Sequence, residues 1–254
     1  MIILNERSFA ESAVENMALG KNRFDTLKLV ARMYVDDGHS KDEVRTMLEN
    51  FVMDCDPHAS IIKVSKVIEY AIQYAMKHEL VVIESIGVTE CEINAISEMC
   101  VGRQAERLAF TLLCLAKYWN ARYKSDSSWV NNKDSEIMSL ANIKTSSTRQ
   151  SKLYRDLCNS GLISFSRRVD CTNVRVNFCD YHSDPVLSIT DFRNLGNQYL
   201  MYIGEPYFVC AECGLVTKLD NVGAGRKQKY CHECSMRVKA RQSHDSAVKN
   251  RITI

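Results

Sequence analysis

The sequence predicts a mainly α-helical protein with small β elements. Apolar residues recur at helical spacing through much of the N-terminal half, which is typical of packed helices. A later stretch alternates apolar and polar side chains, as a short hairpin does, and four of the eleven cysteines crowd into the C-terminal region. With 46% hydrophobic and 25% charged residues, the chain has the composition of a globular protein.

Residues 1–100 are predicted to form a helical scaffold. Their apolar stripes have a helical period, and two capping boxes start helices, one at Ser40 and Glu43 and one at Thr89 and Glu92. No phosphate-binding loop, paired-histidine metal motif or nucleophile signature occurs in this stretch. We therefore expect this region to serve in dimerisation or in docking a partner.

Residues 101–182 predict helices followed by a hairpin. The segment "RQAERLAFTLLCLAKYWNARY" has one apolar face of a long helix, and the polar loop "KSDSSWVNNKD" separates it from two shorter helices. Thr145 or Ser146 would cap the second of these, and Gly161 would end it. The alternating segment "LISFSRRVDCTNVRVNF" then predicts two strands joined by a turn.

This order of elements, with "LCNSGLI" ahead of the hairpin, resembles a winged helix-turn-helix domain over residues 103–180. The loop around Trp129 is longer than in compact members of that family. The resemblance implies that the second helix of the pair enters the major groove of DNA and that the hairpin, the wing, reaches flanking phosphates. The nucleic-acid-binding residues that it implies are Ser147, Arg149, Gln150, Lys152 and Arg155 on the helix, and Arg167, Arg168 and Arg175 on the wing.

The same residues also have a plainer interpretation. Basic side chains on an exposed helix often form only a solvated face, and many winged helices dock proteins. From Lys144 to Arg175, however, seven basic residues stand against two acidic ones. This excess favours contact with a nucleic acid.

Residues 183–206 are predicted to connect the winged domain to the C-terminal module. Asp184 and Pro185 open the segment, Thr190 to Leu200 predict one helix despite Gly196, and further on a glycine and a proline precede the cysteines. We expect a tether with some structure of its own.

Residues 207–254 contain two Cys-x-x-Cys pairs, Cys210 with Cys213 and Cys231 with Cys234. Seventeen residues, 214–230, lie between the pairs, which fits the spacing of a four-cysteine zinc site. A redox or disulfide role is the alternative, but a redox motif would need a single pair beside a βαβ pattern. The region resembles a zinc ribbon, with both pairs on adjacent hairpin tips and a closed, structural Zn²⁺ site.

A basic tail follows the second pair of cysteines. From Arg226 to Arg251 eight Lys or Arg stand against two acidic residues, although the formal charge of the whole chain is only +2. This asymmetry indicates a polyanionic partner. The nucleic-acid-binding residues predicted on the tail are Arg237, Lys239 and Arg241.

Together these features predict a DNA-binding regulatory or replication-accessory protein. Its general architecture is similar to that of small accessory proteins of bacterial phages and mobile elements. The alternative is a protein-binding adaptor or inhibitor that acts on a host enzyme or nucleoprotein complex; RNA binding and a homodimer stay open. We expect no catalysis, because no nucleophile–base pair, paired carboxylates or open metal site emerges. We also expect a cytoplasmic location, since the sequence contains no secretory signal and no apolar run of about 18 residues.

Overall fold

The computed structural model describes residues 2–20, 22–166, 173–220 and 228–252, the last nine of these by their backbone only. The predicted fold class is confirmed: 55% of the chain is helical and 11% is in strands. The chain divides into two compact units, residues 1–85 and 86–254. No helix in the described part of the chain is both long enough and apolar enough to cross a membrane.

In its described residues, the first unit has four helices around an apolar core. Its centre is made of fully buried aliphatic side chains such as Val30, Leu48 and Ile72. A buried ion pair, with 2.8 Å between Arg32 Nη1 and Glu6 Oε2, joins the first two helices. The helices are α1 (Glu6–Glu15), α2 (Arg23–Asp36), α3 (Lys41–Cys55) and α4 (Ile61–Ala75).

The second unit begins with residues that the sequence grouped with the N-terminal region. Strand β1 (Ile86–Thr89) pairs antiparallel with β5 (Pro185–Ile189), and α5 (Glu90–Met99) follows β1. The carboxylate of Glu92 accepts the backbone N–H of Thr89, which completes the predicted capping box, and lies 2.8 Å from the Nζ of Lys117. These long-range contacts place the division at residue 85 rather than at 100, because a strand is stabilised by its partner.

The central helix of this unit is α6 (Arg103–Tyr123). The sequence predicts one apolar face, but the helix is buried on most sides because α5, α7, α8 and α9 all pack against it. The helices and strands that follow it as far as β5 are β2 (Trp129–Val130), α7 (Asp134–Leu140), α8 (Ser147–Asn159), β3 (Ile163–Phe165) and β4 (Val174–Val176).

Strands β2, β3 and β4 form one antiparallel sheet in the order β2-β4-β3. The hairpin of β3 and β4 agrees with the sequence pattern. Strand β2, however, lies in the stretch that was predicted to be a loop, where it pairs Trp129 with Arg175. A two-residue strand has no periodicity of its own, so its sequence alone does not distinguish it from a loop.

The last elements build the C-terminal part of the unit. The connecting segment contains β5 and a shorter helix than predicted, α9, which begins at Leu195 rather than at Thr190. A second hairpin and a long helix follow. The elements are α9 (Leu195–Tyr202), β6 (Tyr207–Val209), β7 (Val216–Lys218) and α10 (His232–Ile252).

Candidate metal centre and basic helices

The first pair of cysteines lies in the turn of the β6–β7 hairpin. Strand pairing of Val209 with Val216 brings the ends of the turn together, and the N–H of Gly214 donates to the carbonyl of Cys210 at 2.9 Å. Gly214 has a φ of +71°, a conformation that glycine adopts without steric penalty. The turn therefore holds the two thiols of Cys210 and Cys213 on the same side.

The second pair lies at the start of α10, not on a hairpin tip, so this part of the zinc-ribbon prediction is wrong. Cys231 directly precedes the helix, and Cys234 lies in its first turn. The residues that follow, "SMRVKARQ", are mostly good helix formers, and they continue the helix where a second hairpin was expected. The positive end of the helix dipole favours thiolates at this position.

The four sulfur atoms form one cluster, all lying within 4.8 Å of one another. Cys213 Sγ and Cys231 Sγ are 3.8 Å apart. A disulfide needs about 2.05 Å, whereas a tetrahedron with Zn–S bonds of about 2.3 Å has edges of about 3.8 Å. The donor set and its spacing therefore fit a tetrahedral metal ion. His232, the other candidate ligand here, is exposed and outside the cluster.

The surroundings of the cluster affect its thiols differently. Burial opposes ionisation of Cys210, but backbone N–H groups, first among them that of Cys231 at 3.3 Å, lower the pKa of this thiol to about 6. Burial and the neighbouring Cys231 thiol raise the pKa of Cys234 to about 12. The thiols of Cys210 and Cys234 therefore do not ionise together by themselves, and a bound cation would favour the thiolate form of its ligands.

Two of the three predicted basic residues on α10 contact the cysteine cluster or a residue next to it in the sequence. Arg237 Nη2 donates to Cys234 Sγ at 2.9 Å, and Arg241 forms an ion pair with Glu212 in the first turn of cysteines. Arg237 therefore contacts a thiol of the cluster, and Arg241 contacts a carboxylate that lies between Cys210 and Cys213 in the sequence. Lys239 is exposed, and helical geometry turns it away from the side shared by the two arginines.

Helix α8 carries the largest set of predicted nucleic-acid contacts. Ser147, Lys152 and Arg155 are exposed, and Gln150 is half-buried. Arg149 is also exposed, but its Nε donates to Gln104 Oε1 of α6 at 3.0 Å. The helix thus presents a polar, basic side to solvent, and its other side is apolar.

The wing is described in part. Arg175 lies on β4 between the buried Val174 and Val176, so its side chain projects from the outer face of the sheet. There it lines a cavity of about 420 Å³ together with Tyr181 and His182. Arg167 and Arg168 lie outside the described residues.

Two residues near the metal centre have no counterpart among the sequence predictions. Arg193, held by Asp191, donates from Nη2 to the carbonyl of Cys213 at 2.8 Å. Asn197 is only 3% exposed, and its amide donates to the carbonyl of Val216 at 3.0 Å. No local motif marks either residue, because their partners are 20 and 19 residues away in the chain.

No model of a protein family, no curated protein and no solved structure matches this chain. Its function is therefore inferred from the geometry of the cysteine cluster and of the two basic helices.

Proposed function

We propose that this chain is a DNA-binding regulatory or replication-accessory protein in which residues 103–176 act as a winged helix-turn-helix domain. In this proposal α8 is the recognition helix and lies in the major groove. The hairpin of β3 and β4 is the wing. The four-cysteine cluster holds a structural Zn²⁺ ion.

The observation that carries the proposal is the topology of the second unit. Its elements run α6, β2, α7, α8, β3, β4, with the sheet ordered β2-β4-β3. A winged helix-turn-helix domain is expected to have a helix pair followed by a hairpin. A further short strand lies, in chain order, between the first two helices of the domain and pairs with the second strand of the hairpin. The extra length of the loop around Trp129 is then accounted for, because this loop supplies the third strand.

The sidedness of α8 supports its role as the recognition helix. Leu153, Tyr154 and Leu157 are buried against the domain, which leaves the opposite side free to enter a groove. The exposed Ser147 and Arg149 lie in the first turn, the end of a recognition helix that contacts base edges. Lys152 and Arg155 lie farther along the helix, where we expect contacts with phosphates.

Zinc is the metal that the donor set favours. Four thiolates in a closed tetrahedron are typical of structural zinc sites, and they leave no open position for a substrate. Iron in a four-sulfur site is the main competitor. Elemental analysis of the purified protein distinguishes the two metals, and we expect one zinc per chain.

A protein-binding role for the first unit is a second candidate that one observation favours. Ile62 and Tyr70 on α4 are 88% and 69% exposed. Large apolar side chains with such high solvent exposure are common in protein-docking surfaces. A host protein or a second copy of this chain could contact this helix while α8 contacts DNA.

A salt titration tests DNA binding by α8. We expect the metal-loaded protein to bind a labelled duplex with an affinity that falls steeply with salt, by a log–log slope of about −0.9 for each phosphate neutralised. Replacing Lys152 and Arg155 together by alanine should weaken binding about tenfold or more and reduce the slope by about 2.

The matched control replaces Lys63 and Lys66, two exposed lysines of α4, by alanine. This variant loses the same charge and should bind as the wild type does. Equal weakening in both variants would indicate a nonspecific effect of charge and would contradict the assignment of α8. Duplex binding that does not respond to salt would contradict phosphate recognition altogether.

A further inference from the structure

One buried amide connects the metal centre to the turn between α7 and α8. Asn197 on α9 donates from Nδ2 to the carbonyl of Val216 on β7, at 3.0 Å. Its Oδ1 accepts a hydrogen bond from Asn142 Nδ2, also at 3.0 Å. A single side chain thus joins the hairpin that presents Cys210 and Cys213 to the turn that leads into α8.

Close packing fixes α9 between these two elements. A Cβ atom on Gly196 would lie 2.2 Å from the carbonyl oxygen of Ala141, so glycine is required for α9 to contact the turn. On the other side, Arg193 reaches the carbonyl of Cys213. The cysteine hairpin therefore contacts both α9 and Arg193 just before it, and α9 has little room to move independently of the turn.

The turn itself depends on these contacts. Asn142 has a φ of +52°, a left-handed conformation that asparagine adopts more readily than most residues but less freely than glycine. Its carbonyl accepts a hydrogen bond from Arg107 Nη2 at 3.0 Å, and its amide is held by Asn197. Because the turn directly precedes α8, it determines the orientation of α8 relative to α7.

We propose that occupancy of the four-cysteine site controls the affinity of α8 for DNA, and that Asn197 is the positioning residue that transmits the effect. This inference rests on the proposed function of α8. With metal bound, the hairpin is ordered and the Val216 carbonyl holds Asn197, which holds the turn. Without metal, the buried amide of Asn197 loses its acceptor and the turn loosens. By linkage, DNA binding would tighten metal binding by the same factor.

Hydrogen exchange of the full-length protein tests the coupling without DNA. The reporters are the amides of Ala141, Asn142 and Ile143, which donate to carbonyls of α7. Removing zinc with a chelator should speed their exchange by about fivefold or more, while amides in the core of the first unit stay unchanged. Equal rates with and without zinc at the three reporters would overturn the proposal.

The variant Asn142→Gly isolates the amide bridge. Glycine adopts the positive φ freely, so the substitution removes the bond to Asn197 while leaving the turn geometry and all four cysteines in place. Its zinc content should equal that of the wild type. We expect its reporter amides to respond to zinc removal by less than about twofold. A response as large as in the wild type would exclude Asn197 as the connection.

A duplex titration separates this inference from the proposed function. Lys239→Ala is used as the background, so that the exposed lysine of α10 makes no contact of its own. Loss of zinc should weaken duplex binding by about fivefold or more in this background, and Asn142→Gly should abolish most of that difference. Equal weakening with and without Asn142→Gly would overturn the role of Asn197. No duplex binding by the zinc-loaded protein would instead refute the proposed function, whatever the exchange rates.

Discussion

Helices α8 and α10 both carry arginines and lysines, yet the two sets of side chains have different surroundings. On α10, Arg237 donates a hydrogen bond to Cys234, and Arg241 forms an ion pair with Glu212. On α8, Lys152 and Arg155 extend into solvent, and only Arg149 contacts a neighbouring helix. A cluster of basic residues in a sequence therefore indicates charge but not availability, and of the two helices α8 is the better candidate for contact with phosphates.

The two helices also differ in what holds them. Helix α8 buries Leu153, Tyr154 and Leu157 in the apolar core of its domain. The buried cluster beside α10 consists of Cys210, Cys231 and Cys234. Hydrophobic burial thus stabilises one helix, whereas under the proposed function the other would depend on bonds between the four sulfurs and a metal ion. This contrast predicts different responses to metal removal and to core mutation.

The largest effect is expected for Cys213→Ser. Metal binding to a structural four-ligand site contributes an apparent ~10–16 kcal/mol to folding, and the small cluster around the thiols cannot replace it. We expect the variant to lose zinc by elemental analysis after dialysis against a chelator that leaves the wild type loaded. Amide exchange should accelerate in residues 207–220 and 228–243, while the amides of α4 keep their protection.

The control for this substitution is Cys91→Ser. Cys91 is exposed and donates to Asp180 Oδ2 at 3.1 Å, a bond that a serine hydroxyl can also form. This variant should keep its zinc and its exchange pattern. If Cys213→Ser also kept its zinc under the same dialysis, the four-cysteine site would be refuted.

The converse experiment is Leu157→Ala in α8. Leu157 is 1% exposed, and truncating a buried leucine costs about 2–5 kcal/mol through lost contacts and the cavity that remains. We expect the midpoint of chemical denaturation of the second unit to fall while the zinc content stays at one per chain. Loss of zinc from this variant would show that the contrast between the two helices is false.

Sequence reasoning found the parts of both regions that depend on local patterns. The four cysteines are identified by their spacing, and α8 by its apolar pair and by Ser146, whose Oγ accepts the N–H of Arg149 as predicted for a cap. The exposed basic residues of α8 also follow from a local pattern, because the apolar residues of a helix define its buried side and therefore its exposed side.

The features that the sequence did not predict depend on contacts between residues that are distant in the chain. Asn142 and Asn197 are 55 positions apart, and an asparagine in either place is unremarkable by itself. Strand β2 forms only because β4 is beside it. The spacing of the second cysteine pair fits a hairpin tip and a helix start equally well, and the helix-forming residues after Cys234 are what decide for the helix.

A smaller effect is expected for Arg237→Met, which sharpens the distinction between structural and available arginines. The guanidinium contributes a hydrogen bond and a positive charge to Cys234 Sγ. Removing such a partner of a metal ligand typically weakens metal affinity by about 10- to 100-fold. Competition with a chromophoric chelator measures this change. Lys239→Met, two residues away and turned from the cluster, should leave zinc affinity within about twofold of the wild type.

The smallest effect is expected for Ser146→Ala at the start of α8. Ser146 Oγ accepts the N–H of Arg149 at 3.4 Å, a long hydrogen bond, so we expect a loss near the low end of the range for helix caps, about 0.5–1 kcal/mol. Because the apolar contacts of α8 persist, chemical denaturation should show this small decrease with unchanged zinc content. Ser146→Asp restores the acceptor and adds a favourable charge at the helix N-terminus, so it should recover the stability. If Ser146→Ala were instead as damaging as Leu157→Ala, α8 would depend on its first turn rather than on its buried side, and the contrast with the metal-held helix would have to be abandoned.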